Sequence, residues 1–104
     1  MLRNLTPHVL NILCEDGNWK NIPVDGPPAR CSVTSTKVFT INGIHVNKTT
    51  FGQVVDLPEA TDGAVFIVSR IVKEACPERS DLLCAGEMIR DKDGKVVGCK
   101  GLSV

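Results

Sequence analysis

Turn chemistry constrains this chain more than any other feature. Asp16-Gly17, Asp25-Gly26, Asn42-Gly43, Asp62-Gly63 and Asp93-Gly94 interrupt it at short intervals. An Asx-Gly pair supplies the positive φ that tight hairpin turns need, and Asn-Gly is the strongest short hairpin signal. The stretches between these pairs are short and rich in β-branched residues, which suits strands rather than long helices. The rhythm predicts a mostly β domain.

The individual stretches agree. His8 to Cys14 is apolar and carries Pro7 at its start, where a strand tolerates it. Glu15-Asp16-Gly17-Asn18 turns the chain, and Trp19 to Val24 returns, giving a first hairpin. From Ala29 to Ile41 the pattern has period two: Cys31, Val33, Phe39 and Ile41 on one side, Arg30, Ser32, Thr34, Thr36 and Thr40 on the other. Such alternation marks a strand with one apolar face. Ser35 and Lys37 share parity with the apolar set, so a β-bulge or a strand end projecting past the core is expected there. After Asn42-Gly43 the chain turns back through Phe51. No Asp or Glu occurs from Gly26 to Val55, whereas Arg30, Lys37, His45 and Lys48 do. This hairpin is therefore locally positive: a solvated Thr-rich sheet face, or one wall of an anion-binding surface.

Ala64 to Val68 is apolar at every position and predicts a strand buried on both faces. Ser69 to Cys76 then takes helical spacing, with Ile71, Val72, Ala75 and Cys76 forming the inner stripe. Ser69 is the expected N-cap and Pro77 the stop, and Arg70 and Glu74 can pair on the outer side. Leu82 to Asp91, the Asp93-Gly94 turn and Val96 to Val104 complete a last hairpin. The expected fold is mostly β (α+β): a small bent antiparallel sheet or partly open barrel of about seven strands with one short helix, in a single domain covering 1–104.

Composition narrows the function. Twelve basic residues balance twelve acidic ones. General nucleic-acid binding, which needs a positive excess, is not expected. No apolar run is long enough to span a membrane, and the amino terminus lacks the pattern of a signal peptide. A cytoplasmic domain is expected, with no membrane partner. The five cysteines are odd in number, irregularly spaced and free of any C-x-x-C. They read as small buried hydrophobes in a reducing compartment. A metal site using Cys76, Cys84, Cys99 and a His, or a Cys nucleophile served by His8 or His45, stays open on spacing alone.

The chain has no phosphate-binding glycine loop, nucleophile elbow, paired-histidine zinc motif or calcium loop. Leu10 and Asn47 stand where paired-histidine phosphoesterases need a hydroxyl residue. No catalytic residue and no cofactor is assigned. Polar residues at the ends of apolar elements remain as candidates for ligand binding. They are Thr6, His8, Arg30, Ser69, Arg70, Arg79, Asp81 and Arg90. The arginines suit phosphate or carboxylate through bidentate hydrogen bonds. Each of Arg70, Arg79 and Arg90 also has a local acidic neighbour: Glu74, Asp81, and Asp91 or Asp93, respectively.

Five stretches resemble a family of small uncharacterised proteins of bacteria, phages and prophages. They are Asn4-Leu5-Thr6-Pro7-His8, Lys48-Thr49-Thr50-Phe51-Gly52, Ile67 to Val72, Arg79 to Leu83, and the hairpin Arg90 to Gly94. The resemblance covers nearly the whole chain. Cys84 to Glu87 is shorter than in those relatives. No activity or catalytic residue is carried over. What the resemblance implies is a phage anti-defence setting. There, a non-catalytic, homo-oligomeric sponge would sequester a small phosphorylated molecule, such as a cyclic nucleotide or ADP-ribose derivative. The other readings are an enzyme cleaving such a signal, with His8, His45 and Asp81 as acid–base groups, and a protein-interaction module inhibiting a host factor through an exposed sheet edge.

Overall fold

A computed structural model describes residues 1–104. Eight strands and one helix follow in the order β1 (Leu2–Asn4), β2 (Leu10–Leu13), β3 (Trp19–Ile22), β4 (Arg30–Ile41), β5 (Ile44–Val55), β6 (Val65–Ile67), α1 (Arg70–Ala75), β7 (Leu82–Arg90) and β8 (Val96–Ser103). Six strands form one sheet in the order β1-β6-β7-β8-β2-β3, and β4 and β5 pair only with each other. The mostly β architecture with one short helix is as the sequence predicts, and the six-stranded sheet is nearly closed.

The main sheet is mixed rather than purely antiparallel. The β2–β3 and β7–β8 hairpins are antiparallel, whereas β1–β6, β6–β7 and β2–β8 run parallel. Short turns announce hairpins in a sequence. Parallel partners need a crossover and leave no local sign. The crossover is α1, which carries the chain from β6 to the start of β7, so that Phe66 lies beside Leu82. The three-residue strand β1 is likewise unannounced: it pairs with β6 through the register Leu2↔Val65 to Asn4↔Ile67.

The core lies between sheet and helix. Leu5, Ala29, Phe66, Val68, Val72, Cys76 and Leu82 form one buried cluster. As expected of a strand covered on both sides, Phe66, Ile67 and Val68 are all fully buried. Ser69 caps α1, its hydroxyl accepting from the Val72 amide at 3.3 Å, and Cys76 closes the helix before Pro77. At six residues the helix has little stability of its own, and Val72 on the sheet holds it. Arg70 and Glu74 form no ion pair; only Arg3–Asp25 and Arg79–Asp81 do.

β4 and β5 make a long ribbon whose turn has positive φ at both Asn42 (51°) and Gly43 (76°). Its register slips between Lys37 and Phe39, where β4 holds one residue more than β5. That bulge is the physical reason Lys37 and Phe39 need not share a face despite equal parity.

Candidate functional site

Residues 4–8 hold the first and last strands of the sheet together. Asn4 is fully buried, and every polar atom of its side chain is used. Its Nδ2 donates to the His8 carbonyl (2.8 Å) and to the Ile22 carbonyl on β3 (3.1 Å). Its Oδ1 accepts from the Thr6 amide (3.0 Å) and the Thr6 hydroxyl (2.6 Å). The Asp25 amide donates to the Asn4 carbonyl at 2.8 Å. These bonds join β1 to the segment following β3 at one end of the seam between the two edge strands.

Farther along, the seam is open. A cavity of about 670 Å³ lies there, lined by Leu2 of β1, Ile12 and Leu13 of β2, Lys20 and Ile22 of β3, Lys100 to Leu102 of β8, and Cys14, Glu15 and Gly17 of the β2–β3 turn. Six of the eleven lining residues are hydrophobic. Lys20 of β3 and Lys100 of β8 are among the lining residues, and Glu15 is the single acidic one. The volume is within the range of small-molecule sites, about 300–1,000 Å³. Lys20 and Lys100 carry no sequence motif. Register separates their side chains: Lys20 lies opposite Ile12 and shares its face, whereas Lys100 lies opposite Leu13, one position on, and projects from the other face.

The residues singled out from sequence are distributed differently. Arg30 and Ser69 come together in a shallow cleft of about 420 Å³ between the base of β4 and the start of α1, bordered by Pro7 and Ile71. Thr6 and Arg70 adjoin these residues in the chain, but the Thr6 hydroxyl belongs to the Asn4 network and the Ser69 hydroxyl caps the helix. His8 lies in an outer groove of about 350 Å³ with Val9, Met88 and Val97. Arg79 is a clamp: its Nε and Nη2 each reach Asp81 at 2.8 Å, and Nη2 also donates to the Pro58 carbonyl at 3.0 Å. Arg90 donates to the Gly94 carbonyl at 2.9 Å and closes the last hairpin. Arg79 precedes β7 and Arg90 ends it, so at the usual strand rise about 30 Å separates them. Arg79 and Arg90 therefore do not share a site.

The ion pair sets the titration around it. The Arg79 guanidinium, by hydrogen bonding, holds the Asp81 carboxyl below the usual carboxylate range, and Arg79 is raised in turn by the same bonds. Burial pushes the Cys76 and Cys84 thiols up, which disfavours thiolate and suits inert core positions. All five cysteines are free, and no three His, Cys, Asp or Glu side chains gather as a metal site would require. No helix is long and apolar enough to cross a membrane. Comparison with protein-family models, with curated proteins and with solved structures finds no match to this chain.

Proposed function

We propose that this chain is a non-catalytic binding protein that takes a small amphipathic anion into the seam cavity. The apolar part of the ligand lies among Leu2, Ile12, Leu13, Ile22 and Leu102, and its negative charge meets Lys20, which shares the face of Ile12. One observation carries this reading: strands from opposite ends of the chain enclose an apolar cavity of about 670 Å³ that Lys20 borders on the face of Ile12 and Ile22. Apolar burial supplies affinity there, and the Lys20 ammonium selects for charge. A nucleotide-derived signal, the class implied by the family resemblance, combines a flat body with negative charge and falls in this class of ligand. Phage anti-defence is the biological setting we propose for it.

The placement of the titratable groups favours binding over cleavage. General acid–base chemistry needs its groups within hydrogen-bond reach of one reacting centre. His8 faces the outer groove, His45 lies near the tip of the β4–β5 ribbon, and Asp81 is engaged by Arg79. Calorimetry against cyclic nucleotides and ADP-ribose derivatives, followed by chromatography of the ligand released on heating, tests the proposal. Saturable binding with intact ligand is expected. Recovery of product would replace the reading with an enzymatic one, and absence of binding to every compound would remove the proposed ligand class.

A further inference from the structure

The β4–β5 ribbon has no partner within the chain. Each strand is 12 residues long, about 37 Å at the usual rise, beside a longest molecular dimension of 49 Å. Cys31 and Val54 pack against the core at its base, and beyond them nearly every residue is exposed. An isolated two-stranded ribbon is marginal in water. This one nevertheless carries Val33, Val38, Phe39, Ile41, Ile44, Phe51 and Val55 as exposed large hydrophobics. The pairs Phe39↔Val46 and Ile41↔Ile44 are two positions apart in each strand, so they share one face at the tip.

The whole molecule is correspondingly under-buried. Only 13 of 104 residues are buried, and the accessible surface is 7349 Å². A compact monomer of this mass exposes about 5,700 Å², so the excess is roughly 1,600 Å². The radius of gyration is 16.4 Å, where a compact chain of this length has about 13 Å. A standard interface covers about 800 Å² on each partner. The excess is twice that. Charge also points to a particular occupant. The ribbon bears Arg30, Lys37 and Lys48 and no acid, in a chain whose charges cancel, so the rest of the same chain is net acidic by three.

We infer that the β4–β5 ribbon is an association arm, and that its apolar tip face is covered by a second copy of this chain. The positive arm of one copy meets the acidic body of the other, and a two-fold arrangement buries both arms at once and closes the assembly. This inference is independent of the seam cavity and its ligand.

Sedimentation velocity of the full chain, from micromolar to submillimolar concentration, tests it. A dimer or larger closed species is expected. Phe39→Ser and Ile44→Lys should weaken association by roughly tenfold or more, with the circular dichroism of the body retained. Hydrogen exchange of the unaltered chain gives a readout that needs no variant: amides of residues 36–48 should exchange more slowly as concentration rises. A chain that stays monomeric across the range, or an assembly unaffected by both substitutions, overturns the inference. So does arm exchange that is independent of concentration. A monomer whose arm is instead protected by duplex DNA overturns it as well, because the arm would then be a nucleic-acid ribbon.

Discussion

Replacing Asp81 with Asn asks the clamp at the start of β7 to work without its negative charge. Arg79 and Asp81 expose 19% and 16% of their side chains, so solvent screens the pair only partly. Two bonds of 2.8 Å join them, and the guanidinium also holds the Pro58 carbonyl, tying the loop before β6 to the loop after α1. Hydrogen bonds to charged groups contribute about 1.5–3 kcal/mol each. Asn keeps one acceptor, and partial exposure lowers the remainder. The expected cost of Asp81→Asn is therefore about 2 kcal/mol, roughly 10 °C in melting temperature for a domain of this size.

The pH dependence follows from the sign of the shift. The folded carboxyl is held below its ordinary value by Arg79. Its contribution is complete above the unfolded carboxylate pKa of about 4 and is lost as pH falls through the folded value. Urea unfolding of wild type and variant, at one fixed protein concentration, should show a constant gap between about pH 7 and pH 5 that narrows toward about pH 3. A gap below about 0.5 kcal/mol at neutral pH, or one unchanged down to about pH 3, would refute the ionic account of this clamp.

Two further substitutions probe the scaffold around the seam. Thr6→Val removes the hydroxyl 2.6 Å from Asn4 Oδ1 and leaves that buried oxygen with the Thr6 amide alone. A loss of about 1–3 kcal/mol is expected in urea unfolding, and an unchanged midpoint would show that the network adds nothing. Gly86→Ala drives a Cβ into the Lys100 carbonyl oxygen and to 2.7 Å from that of Gly101, both backbone. Strands β7 and β8 must part to admit it, at a cost of about 1–3 kcal/mol in the same assay; full stability of the variant would mean the close approach is absent in solution.

Local elements were legible in the sequence and long-range ones were not. The Asn42-Gly43 turn, the bulge near Lys37, the Ser69 cap and the buried run through Phe66 to Val68 are each written in a few adjacent residues. Turn torsions, side-chain periodicity and capping act over that distance. The Arg79–Asp81 partnership was visible as one of two options for those residues, and the structure shows the local pairing. The seam cavity could not be foreseen, because it depends on the parallel register of β2 with β8 and on the three-residue β1. Lys20 looks like an ordinary solvated lysine until that register is known. Arg90 has a local partner that its acidic neighbours did not foretell: it donates to the Gly94 carbonyl of its own hairpin.

Dye binding to the seam cavity bears most directly on the proposed function. Anilinonaphthalene sulfonate is an amphipathic anion, and phenylnaphthylamine is its near-neutral counterpart of similar shape. Titration of both into the wild-type chain and into Lys20→Ala separates charge from apolar burial. With about 0.7 kcal/mol for one exposed ammonium, the sulfonate should lose roughly threefold in affinity while the neutral dye is unchanged. Equal losses for both dyes, or none for the sulfonate, would contradict a cavity that selects anions.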